Sequence, residues 1–216
     1  TTMFDITERK RAEEEREKSL QQVQKALGET INALVSAIET RDLYTAGHQR
    51  RVTQLASAIA EEMELPKNQI DAIRTAGLIH DIGKISIPAE ILGKPAKLNN
   101  IEMDFIKTHP QVGYDILKSI EFPWPVADIV LQHHERMNSS GYPKGLPGKD
   151  ILLEARILGV ADVVEAMASY RPYREALGID KALEEISRNK GTLYDSRVVD
   201  VCLKLFKEKK FKLNKQ

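Results

Sequence analysis

The residues in this sequence that are best suited to metal chemistry are its histidines, of which there are five among 216 residues. They are His48, His80, His109, His133 and His134. Asp81 follows His80 directly and His133 adjoins His134, so each pair could reach round one ion or two neighbouring ions. An aspartate can bridge two metals, and two metals roughly 3.5–4 Å apart suit phosphodiester hydrolysis. Nitrogen and carboxylate ligands favour iron, manganese, nickel or zinc over copper(I).

Considered singly, a histidine is more often a surface residue or a hydrogen-bonded core residue than a metal ligand. The two adjacent pairs favour the ligand interpretation, because neighbouring polar groups are costly to bury without partners. His80 and Asp81 also end the apolar segment AGLIH at residues 76–80, which predicts a buried or cleft position.

The elements that must position these residues are expected to be helices. Apolar residues recur at spacings of three and four, and no alternating run is long enough for a sheet, so we predict an all-α fold. The expected helices run from Pro66 to His80, from Pro88, from Pro110, from Pro125 to about His134 and from about Glu154 to Ser169, before two closing helices. Residues 138–150 contain three glycines and two prolines and are expected to form a loop.

Overall composition narrows the classes of partner. Basic and acidic residues number 32 each, and this zero net charge does not resemble a binder of polymeric nucleic acid. No apolar run approaches the roughly 20 residues that a membrane span needs, so no membrane segment is expected. The single cysteine, Cys202, excludes a disulfide within the chain and is expected in the core of a cytoplasmic protein. The absence of an initial methionine suggests a piece of a longer protein.

The N-terminal part of the chain predicts a signalling helix. A charge-dense run at residues 8–18 is followed by apolar residues at heptad spacing, with Gln24 as a polar interruption. The seam consists of Leu20, Leu27, Ile31, Leu34 and Ile38. Its partner could be a second copy of the chain or the globular body that follows. We favour a parallel homodimer, because the seam begins directly after the charged run, before any domain that it could pack on.

Six motifs resemble one known family in their order and spacing. They are GHQRRV at 47–52, HDIGK at 80–84, THPQVGYDIL at 108–117, HHERMNSSGYP at 133–143, VADVVEAMAS at 160–169 and RPYR at 171–174. HDIGK resembles the signature of the HD phosphohydrolases, and the full set is similar to the HD-GYP subfamily from about residue 36 to 206. The resemblance implies an HD-domain helical bundle that hydrolyses cyclic di-GMP to pGpG or GMP.

The resemblance also implies a metal site. The matching ligands are His80, Asp81, His109, His133, His134 and Asp162, and Asp81 would bridge the ions. His48 matches a position that binds a third metal in some members, but Tyr44 replaces the accompanying carboxylate. We therefore expect two divalent metals, iron or manganese before nickel or zinc, with His48 near the phosphate or the leaving group.

Other positions match contacts with the substrate. Lys84 resembles the lysine that faces the scissile phosphate, although a lysine at the end of a helix can simply complement the helix dipole. Arg171 and Arg174 match contacts with phosphate or guanine, and Tyr142 matches a position that contacts the ligand or partner domains. We expect Asp81, Lys84 and His48 to be catalytic.

There are two departures from the family pattern. The loop lacks a glycine, since Asn138-Ser139 stands where the family reads Asp-Gly, and Glu165 stands where the family often has aspartate. These changes bear on rate and substrate preference. Two alternatives therefore stay open. The substrate could be another cyclic dinucleotide, such as cyclic GMP-AMP, or the domain could be a catalytically silent module that binds a nucleotide or a partner.

The first ten residues, TTMFDITERK, resemble the end of a PAS sensor domain. This resemblance predicts three segments: the end of a PAS-like domain at 1–10, a linker or coiled-coil helix at 11–40, and an HD-GYP catalytic domain at 41–216. An upstream sensor domain in the same chain would then act through the linker helix.

Overall fold

All regular elements in the described part of the chain are helices, which confirms the all-α prediction. The structure, a computed structural model, describes residues 2–41, 47–169 and 177–213. The helices are α1 (Thr2–Arg41), α2 (His48–Glu62), α3 (Lys67–Ile79), α4 (Ala89–Leu92), α5 (Asn100–Ile106), α6 (His109–Leu117), α7 (Val126–Gln132), α8 (Leu153–Ala168), α9 (Ile179–Arg188) and α10 (Ser196–Lys207). Short 3-10 helices cover Ile82–Ser86 and Gly148–Asp150.

Proline residues set several of the helix starts, as the sequence predicts. Pro66, Pro88 and Pro125 directly precede α3, α4 and α7, and a proline lies in the first turn of α6. The start of α5 was not predicted. It is fixed by a capping box, in which the Asn99 side chain accepts from the Glu102 backbone N–H and the Glu102 carboxylate accepts from the Asn99 N–H.

Helix α8 lies at the centre of the domain, since residues 157–162 are all buried around its circumference. It packs against α2, α3, α7, α9 and α10. Such burial stabilises the fold by about 1.5–3 kcal/mol for each fully buried large apolar side chain. Cys202 of α10 lies in this core as predicted, and burial raises the pKa of its thiol to about 12.

Helix α1 uses only part of its apolar surface on the domain body. Val35 is fully buried and Ile31 packs partly against the core, whereas Leu27 and Leu34 remain 53% and 41% exposed. The side chains of Leu20, Gln24 and Ile38 lie outside those described. The heptad pattern did not predict the burial of Val35, and the homodimer stays a prediction.

Within the described residues, no helix combines the length and the apolar character that crossing a membrane requires.

Candidate metal centre

Four helices bring all five histidines to one place in the core, and a fifth adds Asp162. The ring centroid of His133 lies 4.0 Å from that of His134, 5.1 Å from that of His80 and 5.3 Å from that of His109. The His48 centroid lies 5.4 Å from that of His80. These side chains come from the first residues of α2 and α6 and from the ends of α3 and α7, while Asp162 projects from the middle of α8.

Three of the imidazoles are oriented by the backbone carbonyl three residues before them. The Nδ1 atom of His80 lies 2.8 Å from the Gly77 carbonyl oxygen, which is three residues earlier in α3. His109 and His133 repeat the arrangement with the carbonyls of residues 106 and 130, at 2.7 and 2.5 Å. A proton on Nδ1 donates to each carbonyl, so the Nε2 lone pairs face the cluster and are available to a metal.

Burial keeps His109 and His133 neutral, which is the form that binds a metal. It lowers the pKa of His109 to about 4 and that of His133 to about 3, and neighbouring histidines lower the His133 pKa further. The pKa of His134 also lies well below its usual value, because of burial and then the proximity of His133.

Asp81 lies among the imidazoles with an oxygen directed to either side. Its Oδ1 is 3.5 Å from His109 Nε2, and its Oδ2 is 3.6 Å from His80 Nε2 and 2.8 Å from Lys84 Nζ. Burial alone would raise the pKa of this carboxyl, but Lys84 and the surrounding histidines hold it well below its usual range. Asp81 is therefore a carboxylate that could serve two ions.

The backbone just after Asp81 comes very close to the start of α6. An added Cβ at Gly83 would lie 1.9 Å from the His109 carbonyl oxygen and 2.7 Å from the Gly113 nitrogen. Gly83 is not among the residues with positive φ, so the requirement for glycine is steric. The 3-10 helix that follows Asp81 thus packs directly on the start of α6.

His48 and Asp162 complete the cluster. The Nε2 atom of His48 lies 3.3 Å from Asp162 Oδ1, and the Nδ1 atom of His48 contacts a carboxylate oxygen of Glu165. Burial would raise the Asp162 pKa, but the hydrogen bond with His48 and the nearby histidines hold it well below its usual value.

Glu165 belongs to this cluster, although the sequence marks it only as a departure from the family pattern. It is fully buried, and its Oε1 accepts from Arg51 Nε at 2.6 Å and from Ser169 Oγ at 2.6 Å. Its second oxygen faces His48, and these interactions outweigh burial to give a pKa of about 2. The spacing of Asp162 and Glu165 along one helical face was the available signal.

The donor set fits divalent metal ions. Three groups of side chains each place three ligand atoms within 4.8 Å of one another. They are His109 with His133 and His134, His48 with His80 and Asp162, and His80 with Asp81 and His133. Among the described residues, the buried Nε2 of His80 has no hydrogen-bond partner. An unpaired buried nitrogen is costly, and a metal bond would satisfy it.

Tyr142 lies beside the cluster, with its ring stacked on His134 at a centroid distance of 4.7 Å. Burial raises the pKa of its phenol well above the usual value, so it remains neutral. The other proposed substrate contacts, Arg171 and Arg174, lie outside the described residues, as does Tyr44.

A helical bundle that directs histidines and aspartates from several helices into one buried cluster defines a class of metal-binding helical domain. The family model described as "HD domain" matches residues 32–198, and the chain belongs to this family.

Relatives with curated names are phosphodiesterases. "Cyclic di-GMP phosphodiesterase response regulator RpfG" of Xanthomonas campestris is 43% identical over 86% of this chain and 50% of its own length. "Cyclic di-GMP phosphodiesterase" of Thermotoga maritima is 41% identical over 84% of this chain and 50% of its own length. "3'3'-cGAMP-specific phosphodiesterase 3" of Vibrio cholerae is 34% identical over 76% of this chain and 36% of its own length. The chain thus spans about half the length, or less, of these relatives.

A solved structure supports the fold. An HDG"Y"P protein from Bdellovibrio bacteriovorus superimposes with a TM-score of 0.62 at 20% identity, over 74% of this chain and 51% of its own.

Proposed function

We propose that this domain is a metal-dependent phosphodiesterase that hydrolyses cyclic di-GMP to pGpG, GMP or both. The observation that carries the proposal is the convergence of five histidines and two aspartates in one buried cluster. The proposed ligands of two divalent ions are His80, Asp81, His109, His133, His134 and Asp162. Iron or manganese is preferred, and nickel or zinc is compatible with the same donors. Two such metal ions, when bound, would lower the pKa of bound water and stabilise the attacking and leaving oxygens.

The chain's own residues would organise the reaction around Asp81. Its two oxygens face different imidazoles, which supports a bridging role between two ions. The Nδ1 contacts of His80, His109 and His133 would hold each Nε2 atom towards the cluster, so these side chains would need little reorientation to bind an ion.

Lys84 would stabilise negative charge on the scissile phosphate. Its ammonium group lies 2.8 Å from Asp81, at the edge of the cluster, and a short swing of the side chain would bring it to a phosphate oxygen. His48 would act near the leaving oxygen, with its ring held by Glu165.

The identity of the substrate rests on relatives and on arginines. Relatives named for cyclic di-GMP match at 41–43% identity, and Arg171 and Arg174 would contact phosphate or guanine in this chain. A second candidate is cyclic GMP-AMP, because a Vibrio cholerae relative named for it matches at 34% identity. Polymeric nucleic acid is not a proposed partner, since the net charge is zero.

The proposed setting is a cytoplasmic signalling protein. An upstream PAS sensor domain in the same chain would act through α1, and the exposed Leu27 and Leu34 would pair with a second copy in a homodimer.

The test is a panel of cyclic dinucleotides incubated with iron- or manganese-loaded protein, with products separated by chromatography. We expect pGpG or GMP from cyclic di-GMP, and loss of both bound metal and turnover in Asp81→Ala. Asp104→Ala, which removes an exposed carboxylate from α5, serves as the control and should retain both. Full turnover in Asp81→Ala would refute the assignment, and nucleotide binding without turnover in the wild type would indicate a silent binding module.

A further inference from the structure

The loop after the adjacent histidines folds back on the segment that carries them. The Tyr142 backbone N–H donates to the His134 carbonyl at 3.2 Å, and the Gly148 N–H donates to the Met137 carbonyl at 3.2 Å. An isolated bridge also joins Asn138 to Pro147. The loop backbone is therefore bonded at two places to the stretch that follows α7.

A single buried carboxylate holds this loop. Glu135 is only 6% exposed, and its two oxygens accept from the backbone N–H groups of Lys144 at 2.8 Å and Leu146 at 2.9 Å. Bonds from N–H groups to a charged carboxylate are about twice as strong as bonds between neutral groups. Glu135 thus fixes the loop just beyond Tyr142.

The approach of the loop is too close for any side chain at Gly141. A Cβ there would lie 2.4 Å from the Arg136 nitrogen and the Glu135 Cα, and 2.5 Å from the His134 carbonyl oxygen. All three are backbone atoms, so no rotamer change could relieve the contact.

His134 differs from His80, His109 and His133 in how its ring is held. Within the described residues it makes no hydrogen bond, and its Nδ1 stays 3.9 Å from Asp162. Its ring instead lies against Tyr142, with 29° between the ring planes, and against His133 at 4.0 Å. Stacking is therefore the contact that can set the plane of this imidazole.

We infer that Glu135 and Tyr142 are positioning residues for His134, with Glu135 fixing the loop and the Tyr142 ring fixing the imidazole. This inference rests on the metal centre proposed above. Neither role requires Glu135 to touch a metal or a substrate. The phenolic oxygen of Tyr142 is not needed, because the ring face makes the contact.

The test compares four variants by cobalt(II) binding and by proteolysis. Glu135→Ala removes both loop bonds, and Glu135→Gln keeps an acceptor oxygen for only one of them. Tyr142→Ala removes the ring, and Tyr142→Phe keeps it. Cobalt(II) reports the ligand geometry through its visible absorption and its affinity through competition with a chelator. Trypsin cleavage after Lys144, which is exposed in the loop, reports the loop independently of metal and of activity.

The control is Glu62→Gln, which also removes a carboxylate with two partners. Glu62 pairs with Lys204 at 2.8 Å and with Lys209, and it lies roughly 21 Å along α2 from His48. Any loss of stability in this variant should leave the cobalt spectrum and the cleavage after Lys144 unchanged.

We expect Glu135→Ala and Tyr142→Ala to weaken cobalt binding by about 10- to 100-fold and to alter the spectrum, as loss of a supporting contact does in other metal sites. Glu135→Gln should fall between wild type and alanine, and Tyr142→Phe should match the wild type. Both Glu135 variants should be cut faster after Lys144. Wild-type affinity in Tyr142→Ala would overturn the stacking role, and wild-type cleavage in Glu135→Ala would overturn the loop role. A wild-type protein that binds no cobalt would instead overturn the proposed metal centre itself.

Discussion

Replacement of Gly83 by alanine tests the close approach that joins the Asp81 segment to α6. The new Cβ would lie 1.9 Å from the His109 carbonyl oxygen, about 1.5 Å nearer than the 3.4 Å at which ordinary contact begins. The 3-10 helix and the start of α6 would have to separate by a similar distance. Such a shift would also lengthen the 3.5 Å separation of His109 Nε2 and Asp81 Oδ1.

The magnitude follows from the atoms that the methyl group would meet. They belong to the backbone of His109 and Gly113, so no side chain can rotate away. Overpacking usually costs about 1–3 kcal/mol, and a rigid backbone contact belongs at the upper end of this range. A loss of about 3 kcal/mol in a domain of this size lowers the melting temperature by roughly 6–12 °C.

The assay is thermal unfolding followed by circular dichroism at 222 nm, together with the metal content of the purified protein. Gly28→Ala is the matched control, because its Cβ would meet nothing within 4 Å and alanine favours a helix by about 1 kcal/mol over glycine. We expect Gly83→Ala to melt early and to hold less metal, and Gly28→Ala to melt no earlier than wild type. A Gly83→Ala protein that matches the wild type in both measurements would contradict the argument.

Three further predictions concern other parts of the chain. Glu165→Gln should reduce hydrolysis of cyclic di-GMP about 10- to 100-fold, because His48 loses a charged partner; equal rates would contradict this. The same variant should melt earlier than the wild type, because the partly buried Arg51 also loses its charged partner. Cys202 should react with a chromogenic disulfide reagent at pH 8 only after denaturation, since a thiol with a pKa near 12 has about one part in ten thousand as thiolate. The double variant Leu27→Asp with Leu34→Asp should be a monomer by light scattering and should show an altered rate of hydrolysis. An unchanged dimer would contradict the proposed seam.

Several helix starts and the histidines and aspartates of the buried cluster could be predicted from the sequence because their signals are local. Pro66 and Pro125 precede helices whatever the tertiary packing, and the pairs His80-Asp81 and His133-His134 stand out by adjacency. Their convergence depends on the packing of α2, α3 and α7 around α8 and of α6 on α7.

The supporting contacts could not be predicted, since they depend on how separate helices pack. Glu165 meets His48 across 117 residues, and nothing in the spacing of the chain relates the two. Glu135 lies within a recognised motif, but its role depends on the path of a loop that returns nine and eleven residues later. Val35 lies off the heptad seam, so its burial depends on the docking of α1 against the body.

The carbonyl partners of His80, His109 and His133 have a consequence for assembly. Each ring is held by the turn of helix that precedes it, so the entropy of ordering these ligands is lost when the chain folds and not when ions bind. The domain should therefore fold without metal, unlike zinc fingers, whose folding depends on the ion. Chelation should leave the helical circular dichroism intact, while saturating metal raises the melting temperature by joining the ends of α3 and α7 to the start of α6.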